Sequence, residues 1–111
     1  MFIEAVTVCN KYSDYLAWTI FNNKQIFNGY VIVTSHEDYD TIKLCEAANV
    51  KCLQTNIFDD GTSNKGMAIN LGLRSLTRKG FIIHLDADIF LPTRTRYLLE
   101  IAKLDPTKIY G

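Results

Sequence analysis

No residue type dominates this sequence, and what is scarce in it removes several classes of function. There is no excess of either charge, since 12 Lys and Arg balance 12 Asp and Glu. A nucleic-acid binder needs a basic footprint to displace counterions from phosphates, and a net charge of zero does not supply one. The local cluster Arg74, Arg78 and Lys79 reads as the exposed end of a helix, where cations suit the helix dipole. No apolar run approaches the roughly 18 residues of a membrane span. The opening Met1-Phe2-Ile3-Glu4 lacks the basic stretch that starts a signal peptide. With two prolines and six glycines in 111 residues, nothing reads as a linker or a low-complexity tract. The three cysteines Cys9, Cys45 and Cys52 are odd in number and have no C-x-x-C spacing, which argues against a disulfide framework or a zinc site. The expectation is one cytoplasmic domain over residues 1–111, with buried, reduced thiols.

What is present is an alternation. Residues 2–9 (FIEAVTVC) are β-branched and apolar and read as a buried strand. Ser13 is a candidate N-cap for a helix in which Tyr12, Leu16 and Ile20 recur every four residues, and Asn28-Gly29 is a turn signal. Residues 30–34 (YVIVT) read as a second strand. A helix starting at Asp40 or Thr41 carries Ile42, Cys45 and Ala48 toward the core, and residues 50–53 (VKCL) form a weaker third strand. After a polar loop at 59–63 (DDGTS), a helix over 64–77 places Ile69, Gly72, Leu73 and Leu76 at i, i+3, i+4 and i+7, and Gly80 closes it. Residues 81–85 (FIIHL) are the fourth strand. A last helix follows Pro92, with Thr93 as cap, Leu98, Ile101 and Ala102 inward, and Asp105-Pro106 as its end. Strands apolar on both faces and separated by helices imply an α/β fold, a mostly parallel sheet with helices on both faces. Ligands of such sheets bind beyond the carboxyl ends of the strands. That rule selects residues 9–12, 35–38, 55 onward and 86–88.

Asp86 and Asp88 end the fourth strand. In extended backbone, residues two apart project to one side, so both carboxylates face one small volume. Adjacent carboxylates repel unless a cation lies near them. Mg2+ and Mn2+ commonly bridge one or two carboxylates to substrate phosphates. The alternative is that one Asp caps the following turn while the other is solvated; the place of the pair at the ligand-binding edge favours a metal. Asn64-Lys65-Gly66 opens the third helix, whose N-terminal N–H groups and dipole favour phosphate. Lys65 adds a charge there and Gly66 allows close approach; the alternative is a capped, exposed helix start. Asp38 either accepts hydrogen bonds from a ribose or base or caps the next helix. His36 and His84 read as structural, with His84 partly buried in its strand. Tyr12, Tyr15 and Trp18 read as packing, and Tyr12 alone is placed to stack on a base.

The segments VTVCNKY, VIVTSHEDYDT, NKGMAINLGL and above all FIIHLDADIFLP run in this order from about Thr7 to Pro92. Together they resemble the nucleotide-binding half of GT-A glycosyltransferases of the family 2 type. The resemblance implies a Rossmann-like GT-A nucleotide-diphospho-sugar transferase half-domain. It implies metal-dependent binding of a nucleotide-diphosphate sugar, a UDP-sugar, and transfer of the sugar to an acceptor that the sequence does not identify, with Mn2+ or Mg2+ as cofactor. Carried over residue by residue, Asp88 is the more direct metal contact and Asp86 lies nearer the ribose or sugar. Thr7, Cys9, Asn10 and Tyr12 line the base, Asp38 contacts it, and Asn64 and Lys65 face the nucleotide.

Members of that family continue beyond this point with acceptor contacts and, in inverting enzymes, a catalytic carboxylate. No residue after Asp88 matches that base, and Glu100 falls within a predicted helix. The expectation is therefore a chain truncated relative to a full glycosyltransferase, with the general base not among these residues. The alternative is a non-catalytic module that binds a nucleotide or nucleotide sugar. Open sheet edges in a half-domain point to homo-oligomers. A phosphatase of the haloacid dehalogenase type is rejected, because Phe90 stands where that family needs Thr or Val and its downstream motifs do not fit in the 23 residues that follow Asp88.

Overall fold

The computed structural model describes residues 1–59 and 64–111; residues 60–63 of the expected polar loop lie outside them. Strand and helix alternate along the chain: β1 (Ile3–Val8), α1 (Ser13–Asn23), β2 (Gly29–Ser35), α2 (Tyr39–Ala48), β3 (Lys51–Thr55), α3 (Lys65–Ser75), β4 (Phe81–His84) and α4 (Thr95–Ile101). All four strands are parallel, in the order β3-β2-β1-β4. The α/β class and the parallel sheet follow the alternation read from the sequence. Among the described residues no helix is long and apolar enough to cross a membrane.

The period of two in strands sorts side chains onto the two faces of the sheet. Ile3 and Ala5 of β1 and Tyr30 and Ile32 of β2 join Leu16 and Ile20 of α1 and Cys45 and Ala48 of α2 in one apolar cluster. Val6, Val31 and Val33 point the other way, against Ala68 of α3 and Leu76 just beyond it. The steps β1–α1–β2 and β2–α2–β3 cross the sheet in one direction, and β3–α3–β4 steps back to the far side of β1. With right-handed crossovers, that reversal puts α3 on the face opposite α1 and α2, where the two clusters locate it.

Two residues set how closely α3 and its following turn approach the sheet. Gly72 is buried where α3 crosses β1 and β2; a Cβ there would lie 2.3 Å from Val6 Cγ2 and 3.2 Å from Val33 Cγ2. Glu4 is a charged residue inside β1 and only 3% exposed. Its carboxylate accepts from the Thr77 N–H at 2.9 Å, the Thr77 hydroxyl at 3.0 Å and the Arg78 N–H at 2.7 Å. Burial alone would raise its pKa, but these donors outweigh burial and hold the carboxyl below its ordinary value.

Several expectations are corrected. β4 is an edge strand with no partner beyond it among the described residues, so it is only half-buried and His84 is exposed. The buried stripe of α1 is Leu16, Thr19, Ile20 and Asn23, which leaves Tyr12, Tyr15 and Trp18 exposed rather than packed. No residue of α4 is buried, and Leu98 and Ile101, expected inward, are about half exposed because nothing among the described residues covers them. That helix meets the core through Leu99 and is tied by Arg96, whose guanidinium donates to the carbonyls of Ile26 and Met1 and to Asn28 Oδ1. Arg78 and Lys79 lie past the end of α3, with Arg78 in left-handed backbone at φ 59°.

The close approach at Gly72 gives a test within a single helix. Gly72→Ala is expected to destabilise the protein by about 1–3 kcal/mol through overpacking against Val6. A Cβ at Gly66 meets nothing within 4 Å, so Gly66→Ala is expected to be neutral or to stabilise by up to about 1 kcal/mol through helix propensity. Urea unfolding of the two variants reads both signs.

Candidate functional site

The reversal of chain direction at β1 creates a crevice over the carboxyl ends of β1 and β4, the position at which open parallel sheets bind ligands. A cleft of about 680 Å3 lies there. One wall is the loop after β1, with Asn10, Lys11 and Tyr12, continued by Tyr15 on the first turn of α1. The other is the turn after β4, with Asp86, Ala87 and Asp88, and Lys65 at the start of α3 closes the side.

The loop after β1 is fixed by a buried carboxylate. Asp38 Oδ2 accepts from the backbone N–H of Lys11 at 2.7 Å, the Thr34 hydroxyl at 2.9 Å and the Thr41 hydroxyl at 2.6 Å. Its Oδ1 accepts from the Thr41 N–H at 3.3 Å, which caps α2. Lys11 has left-handed backbone at φ 66°, a conformation that costs a residue with a Cβ about 1–2 kcal/mol, and its bond to Asp38 holds it there. Of the two readings of Asp38, the cap is the one its geometry displays, and its reach to the cleft is through Lys11. Burial would raise the Asp38 pKa, yet the donors on Thr41, Lys11 and Thr34 hold it below its ordinary value. Asn10 is braced by the Ser35 hydroxyl, which donates to its Oδ1 at 2.8 Å.

Two residues expected along a base lie elsewhere. Thr7 and Cys9 are fully buried and face α1 and α2. Thr7 Oγ1 shares a 2.8 Å hydrogen bond with the Tyr30 hydroxyl, whose pKa burial pushes up to about 12. Cys9 Sγ lies 3.6 Å from Thr41 Oγ1, and burial raises its thiol pKa. The odd positions of β1 point into the core, so these side chains are corrected from cleft to core. Asn64 precedes α3 without capping it; its amide donates to the Ile57 carbonyl at 3.0 Å and does not line the cleft.

Asp86 and Asp88 do line the cleft, though not by the extended geometry expected of them. The Ile89 N–H donates to the Asp86 carbonyl at 3.2 Å, closing a turn over the pair. Lys65 Nζ donates to Asp86 Oδ1 at 2.7 Å, and His84 Nε2 lies 3.9 Å from the same oxygen. The hydrogen bond from Lys65 holds the Asp86 carboxyl below its ordinary pKa. Lys65 and Asp86 are both about half exposed, so the pair contributes at most about 1 kcal/mol to stability.

Among the described residues no group of three or more His, Cys, Asp or Glu side chains is arranged to hold a metal ion. Two carboxylate-bearing residues on one turn are nonetheless the partial oxygen set suited to a hard divalent ion that completes its shell with water and substrate phosphate. Asp86 and Asp88 could supply two of the oxygens such an ion needs, with water and substrate supplying the rest. Lys65 would have to yield one oxygen of Asp86 to it. Lys11 and Phe58 also line the cleft, within segments that the strand-end rule selects though neither is singled out by its residue type, and Tyr15 lines it from outside those segments. Tyr15 was legible in principle as the residue one helical turn from Tyr12; its ring centroid is 6.2 Å from that of Tyr12.

Glu4 and Asp38 predict the acid limb of the stability curve. Both pKa values are depressed in the folded chain, so their contribution is complete above the unfolded carboxylate range of about pH 4 and is lost as pH falls through the lower folded values. Stability is expected to fall below about pH 4–5, and less steeply in Glu4→Gln and Asp38→Asn, as read by urea unfolding across pH. No family model matches the chain, and no curated protein matches it.

Proposed function

We propose that this chain binds a nucleotide-diphosphate sugar in the cleft, as the donor half of a GT-A glycosyltransferase of the family 2 type. The supporting observation is the meeting, at the switch point between β1 and β4, of the Asp86–Asp88 turn, Lys65 and the exposed rings of Tyr12 and Tyr15. Carboxylates, a lysine and aromatic rings are complementary to a metal-neutralised diphosphate joined to a flat base. In this reading the base stacks on Tyr12 and Tyr15, with Asn10 and the Lys11 loop along its edge. Asp88 and Asp86 would hold Mn2+ or Mg2+, and the charge neutralisation such an ion supplies would favour departure of the nucleoside diphosphate. Lys65 leaves Asp86 for a phosphate oxygen, and the positive end of α3 faces the same group. An acceptor hydroxyl attacks the anomeric carbon, the bond to the diphosphate breaks, and the hydroxyl proton passes to a base.

Among the described residues, the only carboxylates lining the cleft are Asp86 and Asp88, both assigned to the metal. That observation favours a second reading for the residues in hand, a module that binds the donor without turning it over.

Isothermal titration of UDP, GDP and their sugars, with and without Mn2+, separates the readings from a site of another kind. Expected is binding that depends on Mn2+ and is weakened about 10- to 100-fold or more in Asp88→Ala. Lys65→Met is expected to weaken nucleotide binding about tenfold while leaving its Mn2+ dependence in place. No binding of any of these nucleotides to the wild type would sink the proposal. Donor hydrolysis or transfer by the same chain would remove the non-catalytic reading.

A further inference from the structure

We infer that Thr19 and Asn23 of α1 are positioning residues that fix the Asp86–Asp88 turn from behind, so that the ligand affinity of the cleft is set in part by side chains outside it. The structural half of this inference stands on contacts within the chain; the consequence for affinity rests on the function proposed above.

Thr19 is 2% exposed and Asn23 is fully buried, on the same helical stripe as Leu16 and Ile20. Polar side chains on such a stripe are costly unless partnered. Thr19 Oγ1 also donates to the Leu16 carbonyl at 3.3 Å, but both residues have partners 66–68 residues away in the irregular segment that carries the two aspartates. The Thr19 hydroxyl donates to the Ala87 carbonyl at 2.7 Å. Asn23 Nδ2 donates to the Ile89 carbonyl at 2.7 Å, and its Oδ1 accepts from the Leu91 N–H at 3.0 Å. Asn22 Nδ2 adds 2.7 Å to the Leu91 carbonyl and 3.0 Å to Asn23 Oδ1.

Asn23 thus engages a carbonyl and the N–H two residues later, the pair of groups that one residue of a neighbouring strand would take in a parallel ladder. The segment has left the sheet by this point, its last ladder-like bond running from the Leu85 N–H to the Val6 carbonyl at 3.0 Å. The α1 side chains replace the missing strand. They hold the backbone of Ala87, between the two aspartates, which leaves the carboxylates on the other side to face the cleft. Removing such a support leaves the aspartates in place but enlarges the range of positions they sample.

Two measurements test this. In the first, amide hydrogen exchange is followed on the ligand-free protein. Asn23→Ala is expected to speed exchange at Leu91 and Ile89 by about tenfold or more, with Val31, Ile32 and Val33 unchanged. Unchanged exchange, or acceleration throughout the sheet, overturns the inference. In the second, titration of UDP with Mn2+ compares Thr19→Val, nearly isosteric but without the hydroxyl, with Thr19→Ser, which keeps it. Affinity is expected to fall about 10- to 100-fold in Thr19→Val and to return to near the wild-type value in Thr19→Ser. Equal binding by wild type and Thr19→Val overturns the positioning role and leaves the proposed function standing. A wild type that binds no nucleotide overturns the proposed function, and the exchange measurement then decides alone whether α1 fixes the turn.

Discussion

The double pairing of β1 is the constraint to which the rest of the structure is referred. β1 pairs with β2 from Glu4 opposite Gly29 to Val8 opposite Val33, and with β4 from Ile3 opposite Phe81 to Val6 opposite His84. Parallel partners on both edges and apolar layers on both faces leave it no freedom of register, because a slip of one residue would exchange the two faces. The two ladders stop at different heights. Cys9 still donates to Val33, whereas on the β4 side the last bond is from Leu85 to Val6. The last two residues of β1 therefore have no β4 partner, and Val8 lines the floor of the notch that results. The cleft is a consequence of that stagger: one loop climbs from the top of β1 while the other turns away below it.

Burial divides the acidic residues near the sheet into two kinds. Glu4 and Asp38 are nearly inaccessible and saturated with donors from their own chain. Each is committed to a turn, Glu4 to the one after α3 and Asp38 to the loop after β1, and neither has reason to give up these bonds for a ligand. Asp86 and Asp88 are exposed in the cleft, and Asp86 has charged company but little desolvation. A carboxylate that would bind an ion or a phosphate-bound ion must be accessible and incompletely satisfied before binding, and only the second kind meets that condition. The buried pair contributes to the site by shaping loops, the exposed pair by contact.

Most of the fold was legible because its signals are local. Apolar runs of strand length, apolar residues at helical spacing and the Asn28-Gly29 turn each report on neighbours a few residues away. The Asp86–Asp88 pair was legible for the same reason, since its meaning comes from following a strand. What could not be read was phase and distance. β1 is apolar on both faces, so nothing in FIEAVTVC tells which alternate residues meet α1 and α2, and Thr7 and Cys9 were expected in the cleft although they face the core. The cap and base-contact readings of Asp38 were equally compatible with its position after a strand; the bonds from Thr41 display the cap, and the arrival of Lys11, 27 residues away, adds a use that no local signal announces. Thr19 and Asn23 look like the polar side of a surface helix until their partners in the segment 87–91 are known. The inward face expected for the last helix failed in the opposite way: the periodicity is present, but Leu99, and not Leu98 or Ile101, is the residue that packs against the core.

The contacts that line the two walls of the cleft consequently differ in how readily they exchange. The β1 wall is tied by a buried carboxylate whose loss would leave the Thr34 hydroxyl and the Lys11 N–H without the partners they have, so it behaves as a fixed surface. The contact between Lys65 and Asp86 is a half-exposed ion pair, easily exchanged for another partner of the same charge. In the ligand-free chain Lys65 offsets the charge of Asp86, which keeps two neighbouring carboxylates tolerable at little cost. A ligand that brings both a cation and phosphates would satisfy each member of the pair separately, the cation at Asp86 and the phosphate at Lys65. A ligand bringing only one of the two must leave a charge without its partner. On the function proposed above, the exchange would therefore favour a metal and a diphosphate together over either alone.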